Sequence, residues 1–253
     1  MKITEAQYRR IEGCLPRQRG NVSISNLQVL NAILYVTEHG CKWRGLPTRF
    51  GNWHTIYTRM NRWAKAGVLD RVFTALQEQQ IIRIKIEAMS VDSTIVKVHP
   101  DGTGALKKKG PQAIGKSRGG WTTKIHMVAA DARTAITFSL SPGQRHDAPE
   151  GRQLLRTLKP AEESTVSLIM DRAYEGDETR QLVLELGFTP VVPPKQNRVN
   201  PWEYDRVMYR RRNEIERLFR RLKGFRRIFS RFDKLDVMFT AFIHFALIAE
   251  ALR

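Results

Sequence analysis

The rhythm of apolar positions changes at about residue 82. Before it, Ile24, Leu27, Leu30, Leu34 and Tyr35 recur mostly at spacings of three and four, with Asn31 among them, which predicts an amphipathic helix. Pro47 and Gly51 punctuate the chain, and Asn52 is placed to cap a second helix, WHTIYTRMNRWAKAG. A third helix is expected from about Val68 to Gln80. Residues 1–82 therefore read as a small all-helical domain. A helix, a Gly-containing connection and a basic aromatic helix suggest a helix-turn-helix, and Arg59 and Arg62 on its second helix are candidates for DNA contact. A plain bundle with a solvated basic face has the same spacing, so both readings stand. Trp53 and Trp63 read as core residues rather than base contacts.

From residue 83 to 253 the pattern is that of strands and helices in alternation. AMSVDSTIVKVH has the β-branched content of a strand, and WTTKIHMVAAD and AITFSLSPG read as two more in a meander. Between them, residues 100–123 are rich in glycine and hold Lys107, Lys108 and Lys109, which predicts a basic loop. A helix is expected at about 148–158, with Asp147 as N-cap and Glu150 completing a capping box. TVSLIMD has the short apolar run of a strand buried on both faces. GDETRQLVLELG reads as a helix ended by Gly187, and FTPVVPP as another strand. A basic helix from about Tyr209 to Lys223 and a final apolar helix close the pattern. The whole predicts an α/β domain built on a mixed sheet behind the helical domain.

Charge adds a partner to this picture. Lys and Arg number 43 against 25 acids, a net charge of +18, and hydrophobic residues make up 42%, enough for a folded core. From Lys195 to Lys234 there are 14 basic and 5 acidic residues, so half the surplus lies in under a sixth of the chain. Such a concentration points to a polyanion, and phosphate contacts would make binding strongly salt-dependent. The most apolar segment, Val237 to Leu252, is interrupted by His244 and Glu250, which argues against a membrane span. The first ten residues lack the apolar run of a secretory signal, and Cys14 and Cys41 form no metal or disulfide pattern; a cytoplasmic setting is expected.

Three acids carry candidate chemistry. Asp92 lies inside a strand pattern, where alternation puts Val91 and Ser93 on the opposite face. A carboxylate there is costly unless it is paired or binds a cation. Asp171 follows directly on a central strand, at the end where α/β sheets gather ligands. Glu216 shares a helix stripe with Tyr209, Arg212 and Lys223, beside the apolar stripe of Ile215, Leu218, Phe219 and Leu222. Pairing of Arg212 with Glu216 at i,i+4 explains two of those four positions. Carboxylates from two strands and a helix supply the all-oxygen donors that magnesium prefers. Two such ions suit in-line attack on a phosphodiester.

At these residues the chain resembles the DDE transposases of bacterial insertion sequences, in particular the IS-five family. VDSTIVKVH, LIMDRAYEGDETR and YRRRNEIERLFRRLKGFRRIFSRFDK carry the resemblance. The last fits the Y-x2-R-x3-E-x6-K signature through Tyr209, Arg212, Glu216 and Lys223. The resemblance implies an RNase H-like catalytic domain and a divalent metal, Mg2+ or Mn2+, held as two ions by Asp92, Asp171 and Glu216. It implies DNA contacts from Tyr209, Arg212, Arg220 and Lys223. It further implies cleavage at the ends of an element, transfer of the 3′-hydroxyl to target DNA, and a homodimer or larger assembly on double-stranded DNA. A related RNase H-like nuclease or a non-catalytic DNA-binding protein are the competing expectations.

Overall fold

In the computed structural model, which describes residues 1–20, 22–81, 86–104, 106, 110–160 and 166–253, the run Ala88–Val98 forms strand β1. Its side chains alternate between two buried layers, as period-two geometry requires. Met89 and Val91 enter one apolar cluster, and Ala88 enters another. β1 is central. Along the sheet, β2 (Gly115–Ser117), β3 (Gly120–Ala129), β1, β5 (Ser167–Met170) and β6 (Thr189–Val191) follow one another. β4 (Ala135–Pro142) pairs with β3, and β7 (Ser230–Arg231) pairs with the end of β1. β2, β3 and β4 are antiparallel, whereas β5 runs parallel to β1 and to β6. This is the mixed α/β sheet expected of an RNase H-like domain.

Two compact units divide the described residues. One comprises Ile81–Val96 and Ala113–Arg220. Here α5 (Asp147–Leu155) and α6 (Asp177–Glu185) cover one sheet face, burying Leu154, Leu155 and Val183 against Met89, Val91, Leu168 and Met170. Tyr204 and α7 (Arg206–Tyr209) pack on the other face over Ala88, Ile169 and Val191.

The other unit comprises Met1–Gln80, Lys97–Gln112 and Arg221–Arg253. It contains α1 (Glu5–Arg9), α2 (Asn26–His39), α3 (Trp53–Lys65) and most of α4 (Val68–Ile81). The expected cap is present: Asn52 Oδ1 accepts the backbone N–H of His54 at 2.8 Å. The unit also holds α9 (Arg226–Phe229) and α10 (Asp236–Ala251). Compactness thus cuts across the boundary expected at residue 82. α10 is apolar on nearly every side and can be buried only among other helices. Phe239, Phe242 and Phe245 are fully buried there, and α10 packs on α2 and α3.

Two expectations are corrected. Residues 115–120, read as loop, form β2 and the turn into β3, since Gly120 with its positive φ permits a tight turn back to its partner Ser117. Lys107, Lys108 and Lys109 lie outside the described residues. Asp147 is not the N-cap of α5; His146 holds that position and makes no side-chain cap bond. The Asp147 carboxylate instead accepts from Ser93 Oγ at 2.8 Å and Lys124 Nζ at 2.9 Å. A charged, nearly buried ammonium outcompetes two backbone amides for the same oxygen.

Candidate active site

The parallel ladder between β1 and β5 places two acids side by side. Val91 pairs with Met170, so the next register position sets Asp92 against Asp171. Adjacent strands lie about 4.8 Å apart. Val91 and Met170 both enter the cluster beneath α5 and α6, so Asp92 and Asp171 both face the opposite side, where α7 packs. Asp171 stays extended and accepts the N–H of Arg172.

The third acid comes from α8 (Asn213–Gly224), whose apolar stripe buries Ile215, Leu218, Phe219 and Leu222. That anchoring leaves Arg212 and Glu216 at the rim. One terminal nitrogen of Arg212 donates to Asp92 Oδ2 at 3.1 Å, and the other to Glu216 Oε1 at 2.6 Å. A single guanidinium therefore joins the strand acid to the helix acid. Burial pushes the Asp92 carboxyl up to about 6; the Ser93 N–H and Arg212 oppose the rise, and the Asp171 and Glu216 charges add to it. Asp92 thus senses both other carboxylates. Burial also raises the Tyr209 hydroxyl, which packs over Ala88, Ile169 and Val191 and stacks edge-on with Tyr204.

The donor set suits a hard cation, because a buried carboxylate whose protonation is favoured by desolvation gains most from a counter-charge. The three acids are not drawn into a preformed metal cage: among the described residues no group of three or more His, Cys, Asp or Glu is close enough to hold an ion. The Arg212 guanidinium lies between Asp92 and Glu216, supplying positive charge between them.

The remaining expected residues are dispersed. Arg220 is exposed on α8. Lys223 belongs to the helical unit, and burial lowers its ammonium pKa. Arg59 donates to the Ile24 carbonyl at 2.9 Å, and Arg62 lies one turn further along α3.

Behind Asp92, sequence reasoning missed a polar cluster. Ser93, Asp147 and Lys124 are hydrogen-bonded, and Lys124 Nζ also donates to the Arg145 carbonyl at 2.8 Å. Buried Tyr174 packs on the glycine face of Gly151. Buried His126 meets Ser141 Oγ at 2.8 Å, and burial lowers its pKa to about 4. Lys124 and His126 alternate along β3 with Thr123, Ile125 and Met127, and polar residues on an inward face were the available signal.

Asp92 within the central strand and Asp171 just past the end of β5, with Arg212 and Glu216 beside them, define the class as an α/β protein with an acidic site on a mixed sheet. Residues 84–249 match the family model described as "Transposase DDE domain", and residues 3–73 match "Putative transposase of IS4/5 family". The chain belongs to the DDE transposase family. It is 31% identical over 126 residues to "Putative transposase for insertion sequence element IS6501" of Brucella ovis, covering 49% of this chain and 94% of that one. It is 32% identical over 111 residues to "Uncharacterized protein y4sN" of Sinorhizobium fredii, covering 43% and 86%. Among solved structures it is similar to a piggyBac transposase synaptic complex with hairpin DNA, at a TM-score of 0.40 and 11% identity over 78% of this chain. The chain spans 50% of that piggyBac chain.

Proposed function

We propose that this chain is the transposase of an insertion sequence, cleaving DNA at the element's ends and joining the freed 3′-hydroxyl to target DNA. The observation that carries the reading is the bridging of Asp92 and Glu216 by Arg212, with Asp171 following the last pair of the ladder and its charge felt by Asp92. In this reading Asp92, Asp171 and Glu216 hold two divalent cations, Mg2+ or Mn2+. Bound there, the cations supply an activated water and charge neutralisation at the phosphodiester. The protein's own part is positioning and electrostatics. Arg212 and Tyr209 border the carboxylates, and Arg220 and Lys223 are each read as contacts to phosphates rather than base edges. Arg59 and Arg62 contribute to binding of the ends. Because two ends react in one event, the active form is a homodimer or larger assembly on double-stranded DNA. No helix among the described residues is long and apolar enough to cross a membrane, and a cytoplasmic, nucleoid-associated location belongs to the same proposal.

The test is cleavage of supercoiled DNA carrying the element's ends, with Mg2+ or with EDTA. Asp92→Asn, Asp171→Asn and Glu216→Gln are each expected to abolish strand cleavage while DNA binding persists. Cleavage that survives in all three refutes the assignment. Joining of pre-cut ends to a target plasmid separates a transposase from a nuclease with the same carboxylates.

A further inference from the structure

Within the helical unit, a cleft of about 340 Å³ is lined by Arg17, Arg19, Arg59 and Arg62, with Trp63 and Val68 among its apolar walls. No acid lines it, and none of the four guanidinium groups has an acid partner among the described residues. Four like charges around one cleft repel one another unless a counter-anion enters.

The arginines are set in place by the fold. Arg59 and Arg62 lie one helical turn apart on α3, and Arg59 is pinned by its bond to the Ile24 carbonyl. Arg17 and Arg19 flank Gln18, which fastens the segment before α2 in two ways. Gln18 Nε2 donates to the Ile24 carbonyl at 2.8 Å, and its Oε1 accepts the Asn26 N–H at 3.0 Å. Asn26 Nδ2 adds a bond to the Pro16 carbonyl at 3.1 Å. Arg17 and Arg19 themselves are exposed, so their donors are available to a ligand.

We propose that this cleft seats consecutive phosphodiester groups of a DNA strand, with Arg17 and Arg19 on one wall and Arg59 and Arg62 on the other. Planar guanidinium groups match phosphate oxygens in pairs, and the absence of acids suits a chain of anions. The inference rests on the reading of the chain as a DNA-acting enzyme and adds to it a second phosphate-binding surface built from the segment before α2.

The experiment is anisotropy of a labelled duplex with the full chain in EDTA, titrated at stepped salt. Arg17→Ala/Arg19→Ala is expected to flatten the log Kd against log salt slope by about two, because each lost phosphate contact removes about 0.9. Arg9→Ala/Arg10→Ala removes the same charge from the C-terminal end of α1 and its cap and is expected to leave the slope unchanged. An equal fall in both double variants overturns the proposal, since charge alone then accounts for it. An unchanged slope in Arg17→Ala/Arg19→Ala also overturns it. Calorimetry with inorganic phosphate distinguishes the source: phosphate binding that disappears in this variant while duplex binding is untouched identifies a free-anion site and sinks the DNA assignment. Failure of magnesium-dependent cleavage in a wild-type chain that shows the expected slope change bears on the catalytic reading alone.

Discussion

Arg212 reaches Asp92 across 120 positions of chain, its guanidinium donating to the strand carboxylate at 3.1 Å while its other arm holds Glu216. This one side chain offsets repulsion among the site's acids. Replacing it by alanine is expected to destabilise the protein in EDTA by about 1–2 kcal/mol, less than for a fully buried pair because the group is partly solvated. Millimolar Mg2+ is expected to recover more stability in Arg212→Ala than in the wild type. Denaturant titrations with and without Mg2+ check this; equal stability of the two proteins in EDTA removes Arg212 from the role.

Asp92 makes the metal-free site pH-sensitive. Its carboxyl is raised by burial from 3.8 to about 6, so between those values the folded state keeps a proton that the unfolded chain has released. Stability therefore declines as pH rises through that window, by roughly 3 kcal/mol in all at ~1.4 kcal/mol per pH unit. Asp92→Asn is expected to be more stable than the wild type at pH 7.5 in EDTA, with the advantage vanishing near pH 4. A variant no more stable than wild type at pH 7.5 contradicts the assigned cause.

His126 acts in the opposite sense. Burial lowers its pKa from 6.5 to about 4, so the unfolded chain takes up a proton in that interval and the folded chain does not. Its contribution is complete above pH 6.5 and is lost as pH falls toward 4, amounting to about 3 kcal/mol. His126→Gln should flatten the acid limb of the stability profile. Unfolding midpoints measured between pH 4 and 7 decide it, and an unaltered acid limb in the variant rules the residue out.

Gly151 on α5 lies against the Tyr174 ring so closely that a methyl group there collides with Cε1. Gly151→Ala is expected to cost about 1–3 kcal/mol, the usual penalty for overpacking a filled site. The gain in helix propensity, about 1 kcal/mol, does not cancel it. Thermal melts are sufficient, and a stabilised variant disproves the packing argument.

Much of this architecture was readable because period and punctuation agreed. Asn52 and Gly187 marked helix ends that the structure places there or within a residue, and the alternation of Val91, Asp92 and Ser93 gave the face of β1. The neighbour relation between Asp92 and Asp171 was not readable. It depends on a ladder between segments 79 residues apart, and no local pattern encodes register. Asp147 misled for a related reason. Its position before Ala148 and Pro149 has the composition of a cap, yet Lys124 and Ser93, supplied by distant strands, claim its carboxylate. The bridging of two acids by Arg212 was only half visible, since Glu216 is its i,i+4 neighbour while Asp92 lies 120 positions away.

The burial of α10 among α2 and α3 has a consequence for synthesis on the ribosome. The first eighty residues emerge long before the aromatic face of Phe239, Phe242 and Phe245 exists to fill the space between them. Until α10 is translated, the surfaces of α2 and α3 that it covers have no partner, so this helical unit cannot close before its most distant segment emerges.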